Sequence, residues 1–128
     1  MKSGKLDEEL ARMNAIVNHL NQVSLILMNE SFSNTNEREG SKIAYKLTKA
    51  LIEQGAEVFA VSHQYTYVSA FLNDQTTLYL KAQRNQDGSR SFKIVQGKPE
   101  TTAYGQDIYR LNFQWKFLFS ESSCFERV

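Results

Sequence analysis

The stretch LILMNESFSNTNEREG, residues 25–40, decides the fold because an apolar run passes directly into a polar turn. The run begins at residue 23 (VSLILM), and a short continuous apolar segment of this kind predicts a strand covered on both faces. Asn29 and Glu30 follow it. Two interpretations are open: a strand that delivers a functional carboxylate to its carboxyl end, or a buried strand that ends in a solvated turn.

The spacing of apolar residues predicts a helix on each side of this strand. Before it, apolar residues recur every three or four positions, which is typical of an amphipathic helix, and Ser3 is a candidate cap. After it, a second helix carries its apolar residues on one side, and Gly55 stands where a helix C-terminal glycine is expected. The apolar positions are Leu6, Leu10, Met13, Val17 and Leu20 in the first helix, and Ile43, Leu47, Ala50 and Leu51 in the second.

A second buried strand is predicted at residues 57–62 (EVFAVS), and His63 follows it. Strand, helix and strand in this order form a βαβ unit with parallel strands. The carboxyl ends of parallel strands meet at one edge of a sheet, so Glu30 and His63 are expected to leave the sheet together. Residues 64–72 are predicted to form a short helix.

The pattern changes after this point. Residues 76–83 and 91–96 alternate apolar and polar side chains, and NQDG (85–88) between them predicts an antiparallel hairpin with one solvated face. A further helix is predicted over residues 101–111, and the tail at 113–128 is aromatic and irregular. The predicted fold class is α/β, a mainly parallel sheet with an antiparallel hairpin and helices on both faces.

Composition excludes several classes of protein. Lysine and arginine number 15 against 14 acidic residues, a net charge of +1, which lacks the basic excess of a chain that binds DNA through its own surface. A single cysteine, Cys124, excludes an internal disulfide. No apolar run approaches the roughly 18 residues that span a bilayer, and the first residues do not read as a secretory signal. We therefore expect a cytoplasmic protein with no membrane partner.

The residues that can carry chemistry are few. Glu30 is a candidate base for a water that attacks a phosphate, and His63 a candidate group for orienting that water or sensing a terminal phosphate. Each has a plainer interpretation, as the first residue of a solvated turn or as a turn histidine bonded to backbone. Asn29 keeps an acceptor oxygen but lacks the charge that holds Mg²⁺ strongly. Ser33, Asn34, Thr35 and Asn36 suit a tight loop that bonds to itself or to a partner.

Together these segments resemble the carboxyl-terminal ATPase half of the MutS mismatch-repair family, a branch of the ABC-type ATPases. Asn29 and Glu30 stand in place of the family's acidic pair, and His63 matches its switch histidine. Residues 103–111 (AYGQDIYRL) resemble the helix that follows the hairpin in that family. Thr35, Glu39 and Gly40 match the turn after the acidic pair, and the resemblance covers residues 3–112.

The resemblance implies a role for each matched residue. Glu30 is implied as the catalytic base, His63 as the terminal-phosphate sensor, and Asn29 as a weak Mg²⁺ ligand. Gly4 and Lys5 fall where the family's signature loop meets its helix and contacts the nucleotide of the opposing subunit. The loop that crosses the dimer interface is implied to be Ser33, Asn34, Thr35 and Asn36.

For the whole protein, the resemblance implies a partial P-loop NTPase of ABC type. Residues 1–112 are the carboxyl-terminal half of the ATPase domain, and ATP and Mg²⁺ are cofactors of the complete protein. The chain has no GxxxxGK[ST] motif, so we expect a fragment or truncated form that binds ATP poorly alone. A homodimer is expected, with double-stranded DNA bound through domains absent here. The alternative is a non-catalytic dimerisation module that keeps the fold without hydrolysing nucleotide.

Overall fold

The computed structural model describes residues 4–101. They form a mixed α/β fold with three helices and four strands. Their order along the chain is α1 Lys5–Val17, β1 Leu25–Asn29, α2 Glu37–Glu53, β2 Glu57–Val61, α3 Tyr65–Ser69, β3 Leu80–Arg84 and β4 Arg90–Gln96. The helix predicted at 101–111 and the tail at 113–128 lie outside the described residues, apart from residue 101.

The predicted parallel pair is confirmed. β1 and β2 are hydrogen-bonded neighbours whose register runs from Leu25 opposite Glu57 to Asn29 opposite Val61. Helix α2 connects them, so the unit is βαβ. Both strands end at the same edge, which brings the residues that follow them to one place.

The hairpin is confirmed as antiparallel, but it does not extend the parallel sheet. β3 and β4 form a second, separate two-stranded sheet. The predicted first strand begins four residues late, because Asp74 Oδ1 accepts from the backbone N–H and the hydroxyl of Thr76 at 2.8 and 2.6 Å. That local turn competes with strand pairing. One mainly parallel sheet with an antiparallel extension is therefore a wrong prediction for residues 4–101.

The expectation that the apolar strands are covered on both faces, with helices on both sides, is also wrong for the described residues. Ile26 and Met28 point to a core that contains Met13 of α1 and Leu51 of α2. The alternate positions form an open apolar face of the sheet, defined by side chains that stay about half exposed or more: Leu25 62%, Leu27 73%, Phe59 54% and Val61 48%. A continuous apolar run predicts burial on both sides, yet helices cover only one side here.

Helix α2 approaches the sheet closely because small residues line its buried side. Gly40, Ser41, Ala44 and Thr48 are buried along one stripe, which ends at Leu51. The predicted apolar side of α2 differs from the observed one at Ala50, which is exposed. Ile43 and Leu47 pack at the margin of the core. Gly55, with φ +91°, ends the helix region as predicted. None of the helices in residues 4–101 is long and apolar enough to cross a membrane.

A buried hydrogen bond joins α2 to α3. The Thr48 hydroxyl lies 2.8 Å from the Tyr67 hydroxyl, and Tyr67 also packs edge-on against Phe71 with ring centroids 5.8 Å apart. Burial raises the pKa of the Tyr67 phenol above 10.0, and the bond to Thr48 opposes that rise. The neutral phenol is therefore the form that the fold prefers.

We expect stability to fall at alkaline pH because of Tyr67. A phenol whose pKa is raised on folding contributes stability that is fully present below the unfolded pKa of about 10 and is lost as pH rises through the folded pKa. Urea unfolding at stepped pH should show this decline. Tyr67→Phe should reduce its slope, and Tyr67→Phe with Tyr79→Phe should flatten it further, since burial raises the pKa of Tyr79 too. An unchanged slope in the double variant contradicts the assignment, and Tyr65→Phe serves as the matched control.

Candidate functional site

The candidate site lies at the carboxyl ends of β1 and β2, where Glu30 and His63 come together. The ladder continues one step beyond the strands, because the Glu30 backbone N–H donates to Val61 O at 2.8 Å. The backbone N–H of His63 donates to Glu30 Oε2 at 3.4 Å. The two predicted chemical residues are thus neighbours, as the βαβ interpretation required.

The side chains of this pair also touch. His63 Nδ1 contacts Glu30 Oε1. A carboxylate only accepts hydrogen bonds, so His63 Nδ1 is the donor in this contact. The other ring nitrogen, Nε2, takes no part in it. The His63 side chain is 79% exposed and that of Glu30 32%, which leaves the pair open to a small polar ligand or water.

The turn that carries Glu30 has an uncommon backbone. Glu30 and Phe32 have φ of +50° and +61°, a left-handed conformation that is unfavourable for a bulky residue such as phenylalanine. Phe32 is nonetheless fully buried. Its N–H donates to Glu9 Oε1 at 2.8 Å and its carbonyl accepts from Gln64 Nε2 at 3.1 Å. Tertiary contacts therefore hold a turn that local preference disfavours.

Gly40 completes this arrangement from the first turn of α2. A Cβ at this position would lie 2.3 Å from Phe32 O and 2.8 Å from Gln64 Nε2. The glycine is needed for the close approach between helix and turn, since its helical backbone does not itself require one. The turn is thus enclosed by α1, α2 and the segment after β2.

The loop residues proposed to face a partner divide into two groups. Asn36 caps α2, with Oδ1 accepting from Glu39 N–H at 2.9 Å, and the Thr35 hydroxyl donates to Glu39 Oε2 at 3.2 Å. These two side chains therefore stabilise the start of the helix. Ser33 and Asn34 are exposed, so their side chains can meet a second molecule.

The remaining candidate residues lie at element ends. Asn29 is the last residue of β1 and is exposed. Gly4 is the N-cap of α1, without a side-chain hydrogen bond, and Lys5 is the first helical residue. Ser3, the predicted cap, lies outside the described residues. From α1, Glu9, one turn further along, contacts the turn that bears Glu30.

Residues 4–101 contain no cluster of three or more acidic, histidine or cysteine side chains that could bind Mg²⁺. Asn29 and Glu30 offer one amide and one carboxylate, whereas Mg²⁺ takes six ligands and usually binds substrate phosphates as well. At the edge where β1 and β2 end, Glu30 offers a carboxylate and His63 an imidazole.

Sequence reasoning missed Glu9, Phe32 and Gln64. A signal for Glu9 was present, because it lies three residues after Leu6 and four before Met13, which places an acid on the apolar side of α1. Nothing in the sequence marks Phe32 as a left-handed residue. No sequence pattern marks Gln64 as a residue that contacts the turn.

No family model matches this sequence, and no curated protein is significantly similar to it.

Gly40→Ala should destabilise the fold, because the added methyl group would collide with the carbonyl oxygen of Phe32. That oxygen cannot move away easily, since the Phe32 backbone is hydrogen-bonded to Glu9 and Gln64. We expect a loss of about 1–3 kcal/mol in the free energy of unfolding, within the range for overpacked sites. Chemical denaturation measures it. Gly4→Ala is the control, since nothing lies within 4 Å of its added methyl, and equal losses in the two variants would refute the close approach.

Glu30→Gln should alter the magnetic environment of His63 and leave His19 unchanged. The substitution removes the charge that His63 Nδ1 contacts, while His19 Nδ1 bonds to Ala15 O at 2.7 Å within α1. Nitrogen chemical shifts of the two imidazoles, recorded in one spectrum, check this expectation. Equal shifts for both rings, or none for His63, would show that the pair does not persist in solution.

Proposed function

We propose that this chain is the carboxyl-terminal part of a MutS-type ABC ATPase, in which ATP binding and hydrolysis control DNA binding in the complete protein. The observation that supports this most is the contact between Glu30 and His63 at the ends of two adjacent parallel strands. Ligands of α/β sheets bind at that edge. The resemblance of residues 3–112 supplies the reaction class.

In this proposal Glu30 accepts the proton of a water that attacks the terminal phosphate, and His63 hydrogen-bonds a phosphate oxygen. The carboxylate is partly buried, which strengthens its interaction with a nearby proton donor, and the imidazole is mostly exposed, as contact with an incoming ligand requires. Asn29 lies beside them in place of an acid. Its neutral amide reduces metal affinity, so Mg²⁺ binding depends on groups outside this chain.

The composite nature of such sites gives a role to the exposed residues. Gly4, Lys5, Ser33 and Asn34 form the surface that meets the nucleotide and loop of an opposing subunit, and all four are exposed. The proposed assembly is a homodimer in the cytoplasm. DNA is bound by parts of the complete protein that this chain does not contain.

The isolated chain should bind Mg²⁺-ATP weakly. The sequence has no GxxxxGK[ST] loop, the motif whose backbone N–H groups and lysine hold the β- and γ-phosphates. Titration calorimetry should therefore show no site tighter than about 0.1 mM, roughly 5.5 kcal/mol of binding free energy. A micromolar site would contradict the proposed division of the nucleotide site between two segments.

Catalysis is tested in a protein that joins this chain to an in-frame upstream segment with a GxxxxGK[ST] loop. Glu30→Gln should lower kcat by about 10²- to 10⁴-fold, the usual contribution of a general base, with little change in KM. Glu57→Gln is the control, because Glu57 is exposed at the opposite end of its strand. Equal activity of the two variants would remove Glu30 from the mechanism.

The second candidate function, a non-catalytic dimerisation module, is favoured by the open apolar face of Leu25, Leu27, Phe59 and Val61. Neither β1 nor β2 contains the lysine or proline that usually protects exposed strands from pairing. A second copy of the chain is the occupant that a twofold assembly would bring to this face.

Phe59→Lys should therefore shift the chain toward monomer, since it places a charge in the centre of that face. Light scattering at tens of micromolar reports the mass. Phe92→Lys is the matched control, because Phe92 is 89% exposed but belongs to the hairpin. A wild-type chain that is monomeric throughout this concentration range would exclude the dimerisation module.

A further inference from the structure

Glu9 is an acid on the core-facing side of α1. Its Oε1 accepts from the backbone N–H of Phe32 at 2.8 Å. Its Oε2 is buried and has no hydrogen-bond partner among the described residues. A carboxylate is a costly group for holding one peptide N–H away from water, because its charge loses solvation and half of its acceptors stay unmatched. A residue optimised for stability alone would not be an acid at this position.

The peptide that Glu9 holds belongs to the turn that aims Glu30. Phe32 lies two residues after Glu30, and both have positive φ. A buried N–H without an acceptor costs about as much as a lost hydrogen bond, so the left-handed turn depends on the acceptor that α1 provides. Any movement of α1 therefore acts on the backbone that places the Glu30 carboxylate.

Gln64 holds the same residue from the other side. Its side chain is 7% exposed, and Nε2 donates to Phe32 O at 3.1 Å. Its backbone N–H donates to Ser62 Oγ at 3.1 Å, which fixes the segment around His63. Gln64 directly follows His63, and Phe32 lies two residues after Glu30. The bond from Gln64 Nε2 to Phe32 O therefore connects the His63 segment to the Glu30 segment separately from the contact between those two side chains.

We propose that Glu9 and Gln64 are positioning residues that hold Glu30 and His63 in register, and that Glu9 makes the pair sensitive to the position of α1. This inference rests on the proposed function for the importance of the pair, but its geometry stands independently. The side chains of Glu9 and Gln64 form hydrogen bonds with Phe32, and not with the side chains of the pair. Each acts on Phe32, and Phe32 acts on Glu30.

The carboxyl-terminal half of α1 contacts the core through Met13 and Val17. An open groove of about 520 Å³ lies between this half and the start of β1. Ala15 and Ile16 of α1 and Leu25 of β1 are among the residues that line it. The hydrogen bond of Glu9 to Phe32 lies in the amino-terminal half of the helix and fixes that half to the turn.

The test uses the full chain and reads geometry without nucleotide. Glu9→Leu removes the acceptor, Glu9→Gln keeps an acceptor oxygen without charge, and Glu8→Leu is the control, an exposed neighbour in the same helix. We measure hydrogen exchange of the Phe32 amide and the imidazole nitrogen shifts of His63, with His19 as internal reference. Glu9→Leu should speed Phe32 exchange about 10- to 100-fold and move the His63 signals. Glu9→Gln should restore both toward wild type, and Glu8→Leu should change neither.

Gln64→Leu, with Gln75→Leu as its exposed control, tests the same turn from its other side and keeps the test decisive should Glu9→Leu not fold. It should move the His63 signals as Glu9→Leu does. Unchanged His63 signals in Gln64→Leu, and in Glu9→Leu where that variant folds, would overturn the proposal whatever the stability of the variants. A failure of the ATPase proposal would appear only in the kinetic experiments, because these readouts involve no ATP.

Discussion

The backbone of Phe32 is the constraint on which the arrangement at the sheet edge depends. The residue is buried and has a left-handed conformation. Its N–H is hydrogen-bonded to Glu9 and its carbonyl to Gln64. A left-handed non-glycine residue costs about 1–2 kcal/mol, and the surrounding contacts must exceed that cost. The small side of α2 at Gly40 provides the room for them. We expect that loosening any of these contacts would change the direction in which Glu30 leaves the sheet.

The meeting of Glu30 and His63 could be predicted because it follows from topology alone. Two apolar runs separated by one helix form parallel strands, and parallel strands end at one edge. The hairpin turn could be predicted from local residues, with Gly88 at φ +82° following Asp87 as turn chemistry demands. The first inference uses the order of three successive elements, and the second uses only residues at the turn itself.

The features that could not be predicted depend on tertiary context. Apolar residues look the same in a strand covered on one face and in one covered on two, so Leu27 gave no sign of its 73% exposure. The start of β3 was set by Asp74, whose hydrogen bonds with Thr76 also hold its pKa below the usual value. Glu9 and Gln64 matter because each forms a hydrogen bond with Phe32, which is more than twenty residues away from either in the sequence. Spacing within one helix cannot reveal such a partner.

The open apolar face connects the two candidate functions. Burying a leucine or phenylalanine side chain contributes about 1.5–3 kcal/mol, so a surface that covered Leu25, Leu27, Phe59 and Val61 would gain several kcal/mol before the entropy of association is subtracted. A composite ATPase and a dimerisation module both need a second surface against this chain. They differ in whether Glu30 and His63 act once that surface is in place.

The long-range pairing of β1 with β2 also determines the order in which the chain can fold as it is made. Partners such as Leu25 and Glu57 are more than thirty residues apart, while the hairpin closes over a few residues at Asn85–Ser89. Closing the longer loop costs more entropy and is slower. A ribosome adds residues at about 5–20 per second, so β1 waits for seconds with its apolar residues unpaired before β2 and Gln64 emerge. The nascent chain is therefore most vulnerable to misassociation between the emergence of residue 29 and that of residue 64, an interval in which a chaperone has most to protect.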